Sequence, residues 1–522
     1  MYSVPVMTSM PAWAVCVLIC TLPAAPLCGQ APVPAETQLS PATKDASKAS
    51  SGDQTQSRER AKPDPALQAI LDSVDSVSPE FGADVLIRLT ESSKLSDNSL
   101  KIDLLTRAFQ LARHAEHPVK RGRMPTFVPD TEAGYSAIAF MLNLDSLSLQ
   151  ARVVKDLVHF NPGKARELLE EVRFPELLPQ GCEEPLTYDV SAFYGAVAEV
   201  TQLSLSDDDT QNDKAFELVS PLVTNLQSHA QVVPATQLLL NARLSSEALS
   251  RAANEFAYSL ARLTGDPRGF AGADDGIDAI ASVAKLIQSL EAKGLPSAPV
   301  LKSLRSYLLT NLNGERCSDE PDAHADTRLL PPAVEVFNRI FKRSIESNRA
   351  LGITTDELKG RHFESQAGTV PFWQGNEERG LLNEVRELRA ALKEKQSATT
   401  SDPPPSWLPR FHDLERRVES WQGEGQSAIV YFDEKSILFE SLIDLAPAGD
   451  ERERVINSFV NFLELNSVQR SSAMEWFLEV NRLLAKSHKA SFHDELMQSF
   501  LESRDPALNL YARFELWAAP AH

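Results

Sequence analysis

One pattern recurs along most of this chain: apolar side chains three and four positions apart, in runs of helical length, separated by short stretches carrying Pro, Gly or Asp. A period of 3.6 residues is buried by a helix and by no other regular element. In 98–115, Leu104, Ala108 and Leu111 form one lane and Leu105, Phe109 and Ala112 the next, with Lys101, Arg107 and Arg113 off the stripe. Similar patterning recurs at 79–94, 149–160, 189–203, 213–229, 235–263, 276–293, 298–312, 332–345, 376–395, 429–446, 452–465, 472–486 and 491–503. Asn161-Pro162 and Asp505-Pro506 each read as a cap followed by a first helical residue. Alternating strand pairs and an Asn-Gly hairpin are not evident. Ala428–Phe432 is the best strand candidate and reads equally as a helix start. The expectation is an all-α fold: an irregular, α-solenoid-like body of helical hairpins at 66–396 and a smaller C-terminal helical unit at 407–522.

The flanks of that body differ in composition. No charged side chain precedes Glu36, and Ala12–Leu22 is an apolar run of signal-peptide length, too short to span a bilayer. Residues 1–29 are therefore expected to be a signal peptide cut after Gly29, and the chain to be exported, periplasmic or secreted, with no transmembrane span once the signal is removed. Residues 30–65 hold Pro32, Pro34, Pro41, Pro63 and Pro65 among Ala, Ser, Thr and Gln, and read as a disordered tether. A second break, the Pro-rich linker 397–406, contains three consecutive prolines, which no helix continues through. Apart from Trp13, every Trp falls after residue 370.

Charge narrows the partners. Lys and Arg number 52 against 72 Asp and Glu, a net −20, so nucleic acid and anionic lipid are disfavoured and basic or neutral partners preferred. With 43 % apolar residues the chain has ample material for a core. Cys16, Cys20 and Cys28 leave with the signal, and the remaining two, Cys182 and Cys317, follow helical stretches and precede acidic residues and a Pro. In an oxidising compartment this even pair is expected to form a disulfide, worth about 4–5 kcal/mol for so long a loop. The alternative is two packed thiols.

Chemistry-bearing motifs are sparse. His114 and His117 lie three apart ahead of Pro118, without the i, i+4 spacing and neighbouring Glu of a zinc helix. Asp322-Ala323-His324-Ala325-Asp326, and His488 with His493-Asp494-Glu495, read as surface clusters. Asp207–Asp213 places oxygens at alternate positions but lacks the Gly and the closing Glu of a calcium loop, so it reads as a helix start, as does Gly272–Asp278. Lys120-Arg121-Gly122-Arg123 reads as a solvated loop, and Glu183/Glu184 and Glu377/Glu378 carry no information without a cleft. Nucleophile elbows and phosphate-binding Gly-rich loops are missing. No metal or cofactor is expected. Leu381, Val385, Leu388 and Leu392 form a short seam that suits a neighbouring helix of the same chain better than a dimer.

Asn161-Pro162-Gly163-Lys164-Ala165-Arg166 resembles the loop-to-helix joint of tetratricopeptide-type repeats, but the spaced Trp, Gly, Tyr and Pro do not recur every 34 residues, so the resemblance implies no family. The functional expectation is an exported, non-enzymatic helical scaffold binding protein or peptide partners. Its rivals are a helical-toroid or superhelical enzyme on polysaccharide or peptidoglycan, using two carboxylates, and an envelope structural protein without ligand.

Overall fold

Asp64 starts the first helix: its carboxylate accepts the Ala66 N–H at 3.1 Å, and Pro65 fills the position whose own N–H would go unused. The computed structural model describes residues 64–115, 143–177, 190–211, 213–264, 276–318, 332–358, 361–364, 375–396, 406–423, 426, 428–447, 449–466 and 490–519. These include α1 (Pro65–Ser73), α2 (Pro79–Glu91), α3 (Asn98–Arg113), α4 (Ser146–Leu157), α5 (Pro162–Glu171), α6 (Ser191–Leu203) and the short α7 (Asp207–Gln211). Then come α8 (Lys214–Thr224), α9 (Val232–Asn241), α10 (Ser246–Arg262), α11 (Ile277–Ala292), α12 (Ala298–Asn313), α13 (Pro332–Ile340) and α14 (Lys342–Ser347). The C-terminal part holds α15 (Asn376–Gln396), α16 (Trp407–Ser420), α17 (Ala428–Leu445), α18 (Asp450–Asn466), α19 (Ala490–Leu501) and α20 (Pro506–Ala518).

The fold is all-α. The anticipated caps are made: Asn161 Oδ1 accepts the Lys164 N–H at 3.0 Å, and Asp505 accepts the N–H groups of Ala507 at 2.8 Å and Leu508 at 3.3 Å. Ala428–Phe432 is the start of α17 and not a strand. Pro65, the last residue of the expected tether, is the first of α1.

Three patterned runs break where one helix was expected. The run 235–263 is α9 and α10, parted at Ala242, whose backbone turns to ψ 144°. The break has its own partners: Ser245 caps α10, the Arg243 N–H reaches Thr201 Oγ1 at 3.1 Å, and its guanidinium reaches the Leu205 carbonyl at 3.1 Å. The run 213–229 ends at Thr224, after which the Leu226 N–H is taken by Ser259 Oγ at 2.9 Å. The run 332–345 is divided at Phe341 into α13 and α14. A four-residue parallel pair, β1 (Glu315–Ser318) with β2 (Arg361–Glu364), is the other departure, with Cys317 opposite Phe363.

Packing follows two rows. α2, α4, α6, α9, α11 and α13 each pack on the next. α3, α5, α8, α10 and α12 pair with them, and α10 also packs on α8 and on α12. Apolar faces turn between the rows: Leu105, Phe109, Val153, Val154, Phe256, Ile280, Leu304 and Phe337 are fully buried. α20 packs on α1 and α2, with α19 against α20, so the last hairpin of the chain sits beside its first helices. α15, α16, α17 and α18 pack together; Leu381, Val385 and Leu388 are buried, and the seam meets α16 and α17 of the same chain. None of the described helices is long and apolar enough to cross a membrane.

Candidate functional site

The densest unusual chemistry lies between α15 and α17. Glu378 falls in the first turn of α15, where its Oε1 accepts the Gly375 N–H, a local closure of the helix start. Glu434 lies in the middle of α17, a helix apolar on most sides because it is surrounded by α15, α16 and α18. Glu378 is 4 % exposed and Glu434 is fully buried. The side-chain amide of Gln426 joins them, donating to Glu378 Oε1 at 3.2 Å and to Glu434 Oε2 at 2.7 Å. Glu434 Oε1 and Gln426 Oε1 are buried without a partner among the described residues. Burial pushes the Glu434 carboxyl up, the Gln426 amide offsets part of the rise and Glu378 adds to it, to about 7.

Lys435 turns elsewhere. Its ammonium donates to the carbonyls of Glu419 at 3.0 Å and Trp421 at 2.7 Å and to the Tyr431 hydroxyl at 2.8 Å, satisfying all three of its donors. It also lies over the rings of Tyr431 and Phe462. Burial lowers its ionisation to about 8, with Glu419 opposing.

A second charged cluster joins α2 to α4 and α20. Asp84, fully buried in α2, accepts from Arg152 of α4 at 2.6 Å, from Arg88 at 2.8 Å and from the Tyr511 hydroxyl of α20 at 2.7 Å. Burial alone would raise the Asp84 carboxyl; the two guanidiniums and the hydroxyl outweigh it and hold it below the ordinary carboxylate range. Burial and Asp84 together push the Tyr511 hydroxyl well up. Arg88 lies over the Tyr511 ring and Phe81 meets that ring edge-on. Every group here faces another, so the cluster is a clamp. Beyond it Asp156, near Glu91, is pushed up to about 6 by burial and then by that neighbour.

Residues singled out in the sequence are dispersed. Cys317 lies in β1, while Cys182 lies outside the described residues. His114 ends α3, exposed; His117, Lys120–Arg123, Glu183, Glu184, Gly272–Asp275, Asp322–Asp326 and His488 lie outside the described residues, as do the signal, the 472–486 helix, Trp373, Trp476 and all but Ser406 of the Pro-rich linker. The acidic run begins the short helix α7. Three of its four carboxylates are taken by cations, Asp207 by Arg243, Asp209 by Lys214 and Asp213 by Arg251. Glu378 is brought into a site; Glu434, Gln426 and Asp84 were not anticipated. Trp407 and Trp421 are buried, Trp407 stacked on Phe411 with its indole N–H on the Leu388 carbonyl at 3.1 Å, so core packing accounts for both.

Among the described residues no group of three or more His, Cys, Asp or Glu is placed to hold a metal ion. On the outside of α10, Tyr258 is 62 % exposed, with the Arg262 guanidinium 5.1 Å above its ring and bonded to its hydroxyl at 3.2 Å. Compared with models of known families, with curated proteins and with solved structures, the chain matches none.

Proposed function

We propose that the protein is an exported helical scaffold that binds protein or peptide partners along stacked hairpins of α-solenoid type. The observation that carries this reading is the double row: six helices packed each on the next, with five others paired to them. Stacked pairs of this kind leave long, continuous outer faces, which is how such architectures recruit extended partners. Tyr258 with Arg262 supplies the side-chain types that anchor interfaces, already paired and held on a rigid helix. The net charge of −20 favours basic or neutral partners.

The test is a peptide library displayed against the chain lacking residues 1–29. Binders of basic or neutral character are expected, with Tyr258→Ala weakening them about tenfold or more. A library that yields no binder, or binders indifferent to every exposed residue of α8, α10 and α12, overturns the reading.

One observation favours the enzyme reading. Glu378 and Glu434 are two carboxyl groups with different surroundings on one amide, the arrangement that acid–base chemistry uses. Their burial argues against a polymeric substrate at that place. Turnover of peptidoglycan or polysaccharide by the purified chain, abolished by Glu434→Gln, would establish this reading and displace the scaffold.

A further inference from the structure

We propose that Glu434 is held as a neutral carboxylic acid beside a negatively charged Glu378, and that this one proton keeps α15 seated on α17. The geometry asks for it. Among the described residues Glu434 receives a single hydrogen bond, from the neutral Gln426 amide, and its other oxygen, buried, has no donor. A second carboxylate shares that same amide. Glu378 has the surroundings that suit a charge: the first turn of a helix, with N–H groups of Gly375 and Gln426 on one oxygen. Glu434, mid-helix, has neither.

Among the described residues no cation compensates it. On its own helix Lys435 is spent on two carbonyls and the Tyr431 hydroxyl. From α16, Glu419 accepts Lys435 on its carbonyl and Ser458 on its carboxylate, while Arg417 pairs with Glu384. From α18, Arg454 goes to Glu415 and Glu451, and Arg452 to the Ala446 carbonyl. From α15 the group that faces Glu434 is Glu378 itself. An ionised Glu434 would put two buried negative charges on one amide, whereas a proton on its partnerless oxygen leaves one.

The direction of the pH dependence follows. A carboxyl raised from 4.5 to about 7 keeps its proton in the folded state across that interval. Its contribution is complete below 4.5 and is lost as pH rises through about 7. Above that value α15 keeps its apolar seam and its exposed ion pairs, Arg417–Glu384 and Arg410–Glu387, but its first turn meets repulsion.

The experiment uses the full chain and two readouts: the infrared band of protonated carboxyl groups followed through neutral pH, and hydrogen exchange of 376–396 a unit below and a unit above neutrality, corrected for intrinsic rates. We expect a band component lost with a midpoint near 7, absent in Glu434→Gln, which keeps the component near 6 that belongs to Asp156, and α15 exchange that rises about tenfold across the interval in wild type and stays flat in the variant. The component near 7 missing from wild type, the same component surviving in Glu434→Gln, or equal exchange ratios in the two proteins overturns the proposal. If Glu434→Gln does not fold, Glu378→Gln decides: removing the neighbouring charge lowers the midpoint, and an unchanged midpoint overturns the proposal.

Discussion

Asp84 gathers Arg88, Arg152 and Tyr511 on one buried carboxylate. Asp84→Ala leaves Arg88 and Arg152 facing each other across a buried space, and should cost about 3 kcal/mol in urea unfolding, the low end for a broken buried pair because both arginines keep some water. Tyr511→Phe removes one hydrogen bond from the same carboxylate and should cost about 1–2 kcal/mol. The two losses should not add, since both act on one carboxylate. Because the Asp84 carboxyl is lowered from 3.8, its contribution is present above that value and disappears as pH falls below it, so Asp84→Asn should flatten the acid limb of the stability curve. Lys435 gives the same sign in another window: lowered from 10.5 to about 8, it is the neutral form that the fold prefers, so stability should rise as pH climbs between about 8 and 10.5, and Lys435→Met should remove that rise. Neither cluster shows in a motif search, because Asp84 meets Tyr511 from the far end of the chain. The trace they leave is a charge inside an otherwise apolar helix, Asp84 in Phe81-Gly82-Ala83-Asp84-Val85-Leu86-Ile87 and Glu434-Lys435 between Phe432 and Leu438.

At the scale of the element, the sequence speaks through local rules and falls silent where tertiary contacts decide. Asn161-Pro162 and Asp505-Pro506 are legible because a cap is satisfied within three residues; Asn161→Ala should cost about 1 kcal/mol, read from the thermal midpoint. The break at Ala242 is not legible, since its partners, Thr201 and Leu205, belong to the end of an earlier helix. The β1–β2 pair escaped for a related reason: each strand is four residues long, without alternation, and meets its partner across a long connection. The Leu381–Leu392 seam is legible as a seam, and its partners were the expected ones. Leu388→Ala should cost about 2–5 kcal/mol, because Leu388 is fully buried and its carbonyl also anchors the Trp407 indole.

For the whole molecule, periodicity yields the helical class and most helix positions, but not the order in which helices meet. Nothing in the 3.6-residue pattern says that α20 belongs beside α1 and α2. The proposed Cys182–Cys317 bridge is a prediction at this scale: the oxidised protein should show no free thiol in the chain beyond residue 29, and reductant should lower its stability by about 4–5 kcal/mol. Two free thiols in the oxidised protein would rule the bridge out.

The docking of the last helix on the first carries a consequence for synthesis. Lys94 holds the carbonyls of Trp517 and Ala519, and Arg88 and Asp84 await Glu515 and Tyr511, so α2 and the turn after it receive these partners from residues made 423 to 427 positions later. A chain stopped anywhere short of residue 511 carries every helix pair of the rows that its length allows and still leaves Asp84 without its hydroxyl and one face of α2 uncovered. The fold thereby holds one face of α2 open until α20 exists: a product that stops before residue 511 cannot close it.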